Sequence, residues 1–379
     1  MFIYLPCTLT VIYDVPLIRL TLKKDAVLKI GIKDIAKQAN VSIGTVDRVL
    51  HNRGEVSKTT REQVLKIIDE LGYTPNLLAK SLSSKIKYTI AVLIPDAGSN
   101  PYWEKPLEGI KAAAREIKKF NFELQVATFD YSNENSFTEK ANEILESNPS
   151  GFILAPVFYE SSLTVIEKCD TLELPYVFID VFIENCKNLA YFGQNSAQSG
   201  YLAARLMNYS INNGSSHLYI VKPLNPSAPV YHLSLREKGF ISYFSLETTN
   251  QPDIHSMDFD ISSPSILVES LDTIFASNQY PSGLFVANSR VHLVANYFEK
   301  NKIKNVVLIG YDLLPENIEY LEKGVIQFLV CQKPEEQGYK SVFSLFNHLF
   351  LKKPVDKLNY SPIDVIMKEN IEYYKNFKI

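Results

Sequence analysis

The chain of 379 residues has only four cysteines, Cys7, Cys169, Cys186 and Cys331, and they are widely scattered. No pair has CxxC spacing, so there is no signature of a zinc site or a dithiol redox pair, and free thiols fit a reducing compartment. A long uninterrupted apolar run is also missing. Residues 1–22 come nearest, but Pro6, Asp14, Pro16 and Arg19 break the run and no basic residue precedes Phe2. That argues against a secretory signal and against a membrane span. Residues 1–30 read instead as a loose extension or as the product of too early a start codon. The sequence has no P-loop, and no GxGxxG follows its first strand-like run, which disfavours a nucleotide-dependent enzyme. No cofactor or metal is expected, and no membrane partner. Tryptophan occurs once, at Trp103.

Charge is present but unevenly placed. Residues 31–87 hold ten Lys/Arg against six Asp/Glu, a net +4, whereas residues 88–379 carry a net −9. A small basic unit on a large acidic body suggests a nucleic-acid arm on a domain with another task. Within the basic unit, Ile32, Ile35, Ala36 and Ala39 recur at helical spacing. Asn40 suits the left-handed end of that helix. Ser42 can cap a second helix, Ile43 to Leu50, whose inner face is Val46, Val49 and Leu50. Ser57 can cap a third, with Val64, Ile67, Ile68 and Leu71 inside and Gly72 at its end. This predicts a helix-turn-helix over 31–73; periodicity by itself equally allows a three-helix interaction bundle.

The runs IKDIAKQANVSIGTVDRVL, VSKTTREQV and LGYTPNLLAKSL resemble the DNA-binding headpiece of the LacI/GalR family of bacterial repressors. The resemblance covers about 55 residues. It implies that the second helix lies in the major groove of operator DNA, with Ile43, Gly44 and Arg48 at base-reading positions. Ser42, Thr45, Tyr73 and Asn76 match positions that hold or approach phosphates. Arg48 can pair bidentately with guanine and Ile43 can touch a thymine methyl, while Gly44, without a side chain, can only allow close approach. Asp47 and His51 depart from the Ser and Asn common in the family, which leaves the operator sequence open. Residues 74–87 follow as a hinge or linker. Pro75 suits a first helical turn, and Leu78, Ala79 and Leu82 fall on one side. The resemblance makes this a hinge helix ordered on DNA, with Ala79 and Leu82 among the DNA-facing residues and Leu82 wedged between base steps in the minor groove.

From Tyr88 the texture changes to short apolar runs, YTIAVLIP, FELQVATF, GFILAPV, LPYVFID, HLYIVKP, GLFVAN, VVLIGYD and VIQFLVCQ, alternating with amphipathic stretches. This predicts an α/β body of parallel sheets in two lobes, with ligands in the crevice at the carboxyl ends of the strands. The expected lobes are 88–191 with 332–355 and 192–331 with 356–379. Polar and aromatic residues collect at the predicted strand ends: Asn100, Tyr102, Trp103, Asp180, Arg236, Phe259, Asn288, Asp312 and Gln332. Each is individually explicable as a cap; as a set they suit a neutral polyol, because charged and amide groups bracket hydroxyls while aromatic faces cover C–H surfaces. The body resembles the ribose-type periplasmic binding proteins, whose fold the repressor family carries as its effector domain. NPYW resembles that family's sugar platform, and the other six residues match sugar-contacting positions in chain order. Val181 and Ser289 replace an arginine and an aspartate common there, so the ligand is sugar-like without being fixed as ribose.

Asp180 and Asp312 raise the question of a glycosidase, but nothing in the sequence marks either as a raised-pKa acid, and a non-enzyme is expected. The reading is a cytoplasmic, sugar-responsive transcriptional regulator. It acts as a homodimer on near-palindromic double-stranded operator DNA; no heptad tail follows the last strand to suggest a tetramer. The alternative, a periplasmic-type sugar-binding transport protein, would need a signal peptide and no basic arm.

Overall fold

The computed structural model describes residues 31–50, 54, 56–73, 86–98, 100–211, 217–224, 231–247, 251–260, 263–277 and 280–375. The chain divides into two compact units, Met1–Asn76 and Leu77–Ile379.

The first unit contains α1 (Ile32–Gln38), α2 (Ile43–Leu50) and α3 (Lys58–Glu70). The predicted boundary signals are in place. Asn40 turns the chain with φ 51°. Ser42 Oγ accepts the Thr45 N–H at 3.0 Å, and Ser57 Oγ accepts the Thr60 N–H at 3.2 Å. These bonds satisfy backbone donors that a helix start otherwise leaves unpaired. Gly72 follows α3 at φ 59°. Ile35, Val46 and Val64, one from each helix, are fully buried together with Ala36, Ala39, Val49 and Ile67. Gln63 donates to the Ala39 carbonyl at 3.2 Å, tying α3 to the α1–α2 turn. The predicted hinge residues Asn76, Ala79 and Leu82 lie outside the described residues, as does the extension 1–30.

The second unit holds strands β1 (Tyr88–Pro95), β2 (Phe122–Phe129), β3 (Gly151–Leu154), β4 (Tyr176–Ile179), β5 (Ala190–Gly193), β6 (His217–Leu224), β7 (Asp253–Asp260), β8 (Pro281–Val286), β9 (Val307–Tyr311), β10 (Phe328–Cys331), β11 (Leu358–Tyr360) and β12 (Asp364–Ile366). Its helices are α4 (Glu104–Ile117), α5 (Glu134–Glu146), α6 (Tyr159–Thr171), α7 (Ser196–Ser210), α8 (Tyr231–Glu247), α9 (Pro264–Ala276), α10 (Val291–Lys300), α11 (Pro315–Glu322), α12 (Pro334–Phe346) and α13 (Ile371–Lys375). Two six-stranded sheets form, in the orders β11-β5-β4-β3-β1-β2 and β12-β10-β9-β8-β6-β7. The central strands of both are buried on both faces, as parallel strands under helices must be. Pairing is parallel except for β12, which runs antiparallel to β10.

One lobe boundary differs from the sequence reading, which assigns 356–379 to the second lobe. Strand β11 belongs to the first lobe because Leu358 pairs with Tyr191 and Tyr360 with Gly193. The last crossing therefore falls between β11 and β12. The crossings are tied to one another: Gln194 donates to the Cys331 carbonyl at 3.1 Å, and the Ser361 N–H to the Gly193 carbonyl at 2.7 Å.

Each lobe repeats one packing device. A Cβ on Gly109 of α4 would lie 1.9 Å from the Glu335 carbonyl oxygen of α12, and one on Gly338 of α12 would lie 2.1 Å from that of Pro106. In the second lobe a Cβ on Gly200 of α7 would meet the Arg236 carbonyl of α8 at 1.9 Å, and one on Gly239 would meet that of Ala197 at 1.9 Å. Both helix pairs thus cross backbone against backbone, and the α7–α8 contact fixes the turn of α8 that carries Arg236. Gly200→Ala is expected to push α7 off α8 and cost about 1–3 kcal/mol. In urea the unfolding midpoint should drop at constant slope; an unchanged midpoint would contradict the close crossing.

Candidate functional site

Two regions carry the predicted site residues. In the first unit, Ser42, just before α2, and Ile43, Gly44 and Arg48 within it are exposed, while Val46 and Val49 are buried. Thr45 is half-buried, its hydroxyl 2.9 Å from that of Ser42. Ile43 keeps 50% of its surface in solvent although it is apolar and sits at a helix start. Tyr73 is half-buried past the end of α3, its N–H donating to the Ile68 carbonyl at 3.0 Å. Burial raises its hydroxyl pKa.

In the second unit the polar residues converge at the carboxyl ends of both sheets. Asp180 follows β4 and Asp312 follows β9, and both stand in the left-handed region, at φ 65° and 66°. Aspartate tolerates this conformation better than most residues. Each is fixed by its own N–H: Asp180 donates to the Phe192 carbonyl at 3.0 Å, Asp312 to that of Val330 at 3.1 Å. The two lobes thus present a carboxylate by the same device. Asn317 donates to the carbonyls of Ser289, Tyr311 and Asp312, at 2.9, 3.0 and 3.0 Å, and so locks the loop behind Asp312.

Side-chain bonds join these groups. The Tyr102 hydroxyl donates to Asp180 Oδ1 at 2.7 Å. Gln332 Nε2 donates to Asp312 Oδ1 at 3.2 Å, and Gln337 Nε2 holds the Gln332 carbonyl at 2.8 Å. Arg236 is buried; its Nη1 donates to the Ala287 carbonyl at 2.8 Å and its Nη2 to Gln332 Oε1 at 3.5 Å. Its guanidinium lies over the Tyr311 ring, 3.7 Å from the centroid. A cavity of about 850 Å³ is lined by Tyr102, Asp312, Gln332 and Lys333, among others.

Burial dominates the electrostatics. It pushes the Asp312 carboxyl up to about 7; the Arg236 charge opposes this and the Asp180 charge adds to it. Burial also raises Asp180, against the Tyr102 hydroxyl and Arg236. The expectation that neither carboxyl is a raised-pKa acid is therefore corrected: removing a carboxylate from water disfavours its charged form, and one arginine does not fully compensate.

The structure thus brings Tyr102 and Asp180 into one hydrogen-bonded cluster and Arg236, Gln332 and Asp312 into another, the two coupled through their charges. Other predicted residues have visible structural duties. Asn100 Oδ1 accepts the Tyr102 N–H at 3.4 Å and Asn288 Oδ1 accepts the Arg290 N–H at 2.9 Å. Trp103 and Phe259 are buried in the hydrophobic cores of the first and second lobes, and Trp103 stands edge-on to Tyr102. Sequence reading missed Tyr131, His232 and Arg290. Burial raises the Tyr131 pKa, and the Asp180 charge adds to this; burial and the Arg236 charge hold His232 well below the usual histidine range; burial lowers Arg290. Signals for them existed. Tyr131 stands two residues past β2, Arg290 two past Asn288, and His232 one helical turn before Arg236.

Residues 31–76 match bacterial regulatory proteins of the lacI family, and residues 90–353 match the periplasmic binding protein domain. The ribose operon repressor of Halalkalibacterium halodurans is 26% identical over 360 residues, spanning 91% of this chain and 98% of that protein. The HTH-type transcriptional regulator DegA of Bacillus subtilis is 31% identical over 153 residues, 40% of this chain and 44% of that protein. A crystal structure described as a LacI transcriptional regulator from Bacteroides fragilis superposes with a TM-score of 0.70 at 31% identity, covering 76% of this chain and 100% of that one. With a capped helix-turn-helix ahead of a two-lobed body, the chain belongs to the LacI family of DNA-binding bacterial regulators.

Proposed function

We propose that the second unit binds a sugar or sugar derivative between its lobes and that this changes the affinity of the first unit for operator DNA. The observation that carries the reading is a hydrogen-bonded polar cluster on each side, Tyr102–Asp180 in the first lobe and Arg236–Gln332–Asp312 in the second, close enough for their charges to act on one another. A carboxylate on each side, with a phenol in the first lobe and amide and guanidinium groups in the second, suits a ligand whose hydroxyls both donate and accept. Arg236 Nε, buried and without a hydrogen-bond partner among the described residues, offers one further donor. The related ribose operon repressor supports the sugar class. Transport is the weaker reading, because it leaves the helix-turn-helix without a use. Catalysis is weaker too. It would likewise leave the helix-turn-helix without a use. The protein then works as a cytoplasmic homodimer, two headpieces addressing two half-sites of a near-palindromic operator. A thermal-shift screen of the full chain against a sugar panel tests the reading. Stabilisation by one sugar or a few is expected; no response to any sugar would contradict it.

Asp312 makes this binding pH-dependent. A ligand hydroxyl donating to the carboxyl favours its ionised form, and the unliganded group titrates at about 7. Affinity should therefore rise as pH increases through that value and level off above it. Between about pH 6 and about pH 8 the gain approaches tenfold. In Asp312→Asn it should vanish along with most of the affinity. Calorimetry with the sugar found in the screen reads both; a wild-type profile flat across this range would remove Asp312 from the ligand.

On the DNA side, exposed Arg48 is proposed to read a base. Arg48→Ala should cost about 1–3 kcal/mol of discrimination between operator and scrambled duplex. Non-specific binding, which rests on phosphate neutralisation, should fall much less. Equal losses on both duplexes in a competition assay would make Arg48 a phosphate contact.

A further inference from the structure

A second cluster lies at the other end of the second-lobe sheet. Strands β6 and β7 run parallel, with His217 paired to Asp253 and Tyr219 to His255. Alternation along a strand puts residues two apart on one face, so His217, Asp253 and His255 share a face at the amino-terminal edge of the sheet. His217 Nδ1 lies 3.3 Å and His255 Nε2 3.0 Å from the same oxygen, Asp253 Oδ2. All three ligand atoms lie within 4.8 Å of one another. Neither ring nitrogen makes a hydrogen bond of proper geometry, although both are buried. The His255 ring is held by stacking on Tyr219, with centroids 4.9 Å apart.

We propose that His217, Asp253 and His255 form a site for a divalent transition-metal ion of the zinc, cobalt or nickel class. Two imidazoles and a carboxylate are ligands for these ions, three protein donors leaving a position for water. Metal–nitrogen and metal–oxygen bonds near 2.1 Å around a tetrahedral ion set donors roughly 3.4 Å apart. Two of the three separations already lie within a few tenths of an ångström of that, and the third is no more than 4.8 Å. Strands β6 and β7 each span about 20 Å or more, and the effector network stands at their opposite ends. The ion therefore binds apart from the sugar. It would pin β6 to β7, the edge strand of the sheet, and so stabilise the second lobe.

The experiment is calorimetric titration of the metal-free, untagged full chain with Zn²⁺, and with Co²⁺ followed by visible absorption. One ion per chain is expected, with the strong visible bands of a four-coordinate cobalt site and a higher melting temperature in Zn²⁺. His255→Ala and Asp253→Asn should each abolish the cobalt bands, and His348→Ala, a histidine of the first lobe, should keep them. Asp253→Asn changes little in size, so it separates loss of a ligand from loss of fold, checked by circular dichroism. Wild-type protein without saturable binding, or cobalt bands unchanged in both His255→Ala and Asp253→Asn, would overturn the site and leave the three side chains an ion-pair cluster.

Discussion

The buried guanidinium of Arg236 is the interaction on which the cleft depends. It bonds the Ala287 carbonyl and Gln332, covers the Tyr311 ring, and opposes the rise in pKa of both Asp180 and Asp312. Two carboxyls facing one low-dielectric space repel one another when ionised, and only a nearby cation makes their coexistence tolerable. The backbone crossing of α7 and α8 at Gly200 and Gly239 holds that cation in place. Packing in the second lobe is therefore continuous with the electrostatics of the carboxylate cluster. Without Arg236 the carboxyls would be left buried and uncompensated, a costlier outcome than loss of a contact.

A regulator of this design has to convert ligand binding into a change in DNA affinity. A coupling of about 1–3 kcal/mol is enough for a useful switch. Closure of two lobes over a polyol is a differential interaction of that order, since a charge-assisted hydrogen bond is worth about 1.5–3 kcal/mol. Any such motion passes through the three crossings, where Gln194 binds the Cys331 carbonyl, Ser361 binds that of Gly193, and Lys333 pairs with Asp364 at 3.5 Å. Lys333 itself has φ 50°, outside the region that lysine prefers.

Much of this was legible in the sequence, for physical reasons that differ from place to place. Caps are local chemistry, so Asn40, Ser42, Ser57 and Gly72 announced the helix ends of the first unit. Parallel strands buried on both faces read as apolar runs, and YTIAVLIP matches β1 over Tyr88–Pro95. Strand ends are where an α/β sheet lets polar side chains converge, which marked Asp180, Asp312 and Gln332 as a group. Strands β11 and β12 were harder, because LNY and DVI are three residues each and mix polar with apolar side chains, so they form no apolar run, and the last lobe boundary was misplaced on that account. The left-handed turns at Asp180 and Asp312 left no signal of their own, and the raised carboxyl of Asp312 comes from burial by elements far apart in the chain. His217 and Asp253 meet only through strand register, which no linear motif records.

The central claim is that occupancy of the cleft sets operator affinity. It is tested most directly by measuring binding of the full chain to its operator at one fixed salt concentration, with and without a saturating amount of the sugar that stabilises it. The account predicts a change of about fivefold or more, in either direction, and no comparable change on scrambled DNA. Equal operator affinity with and without the bound sugar would contradict it.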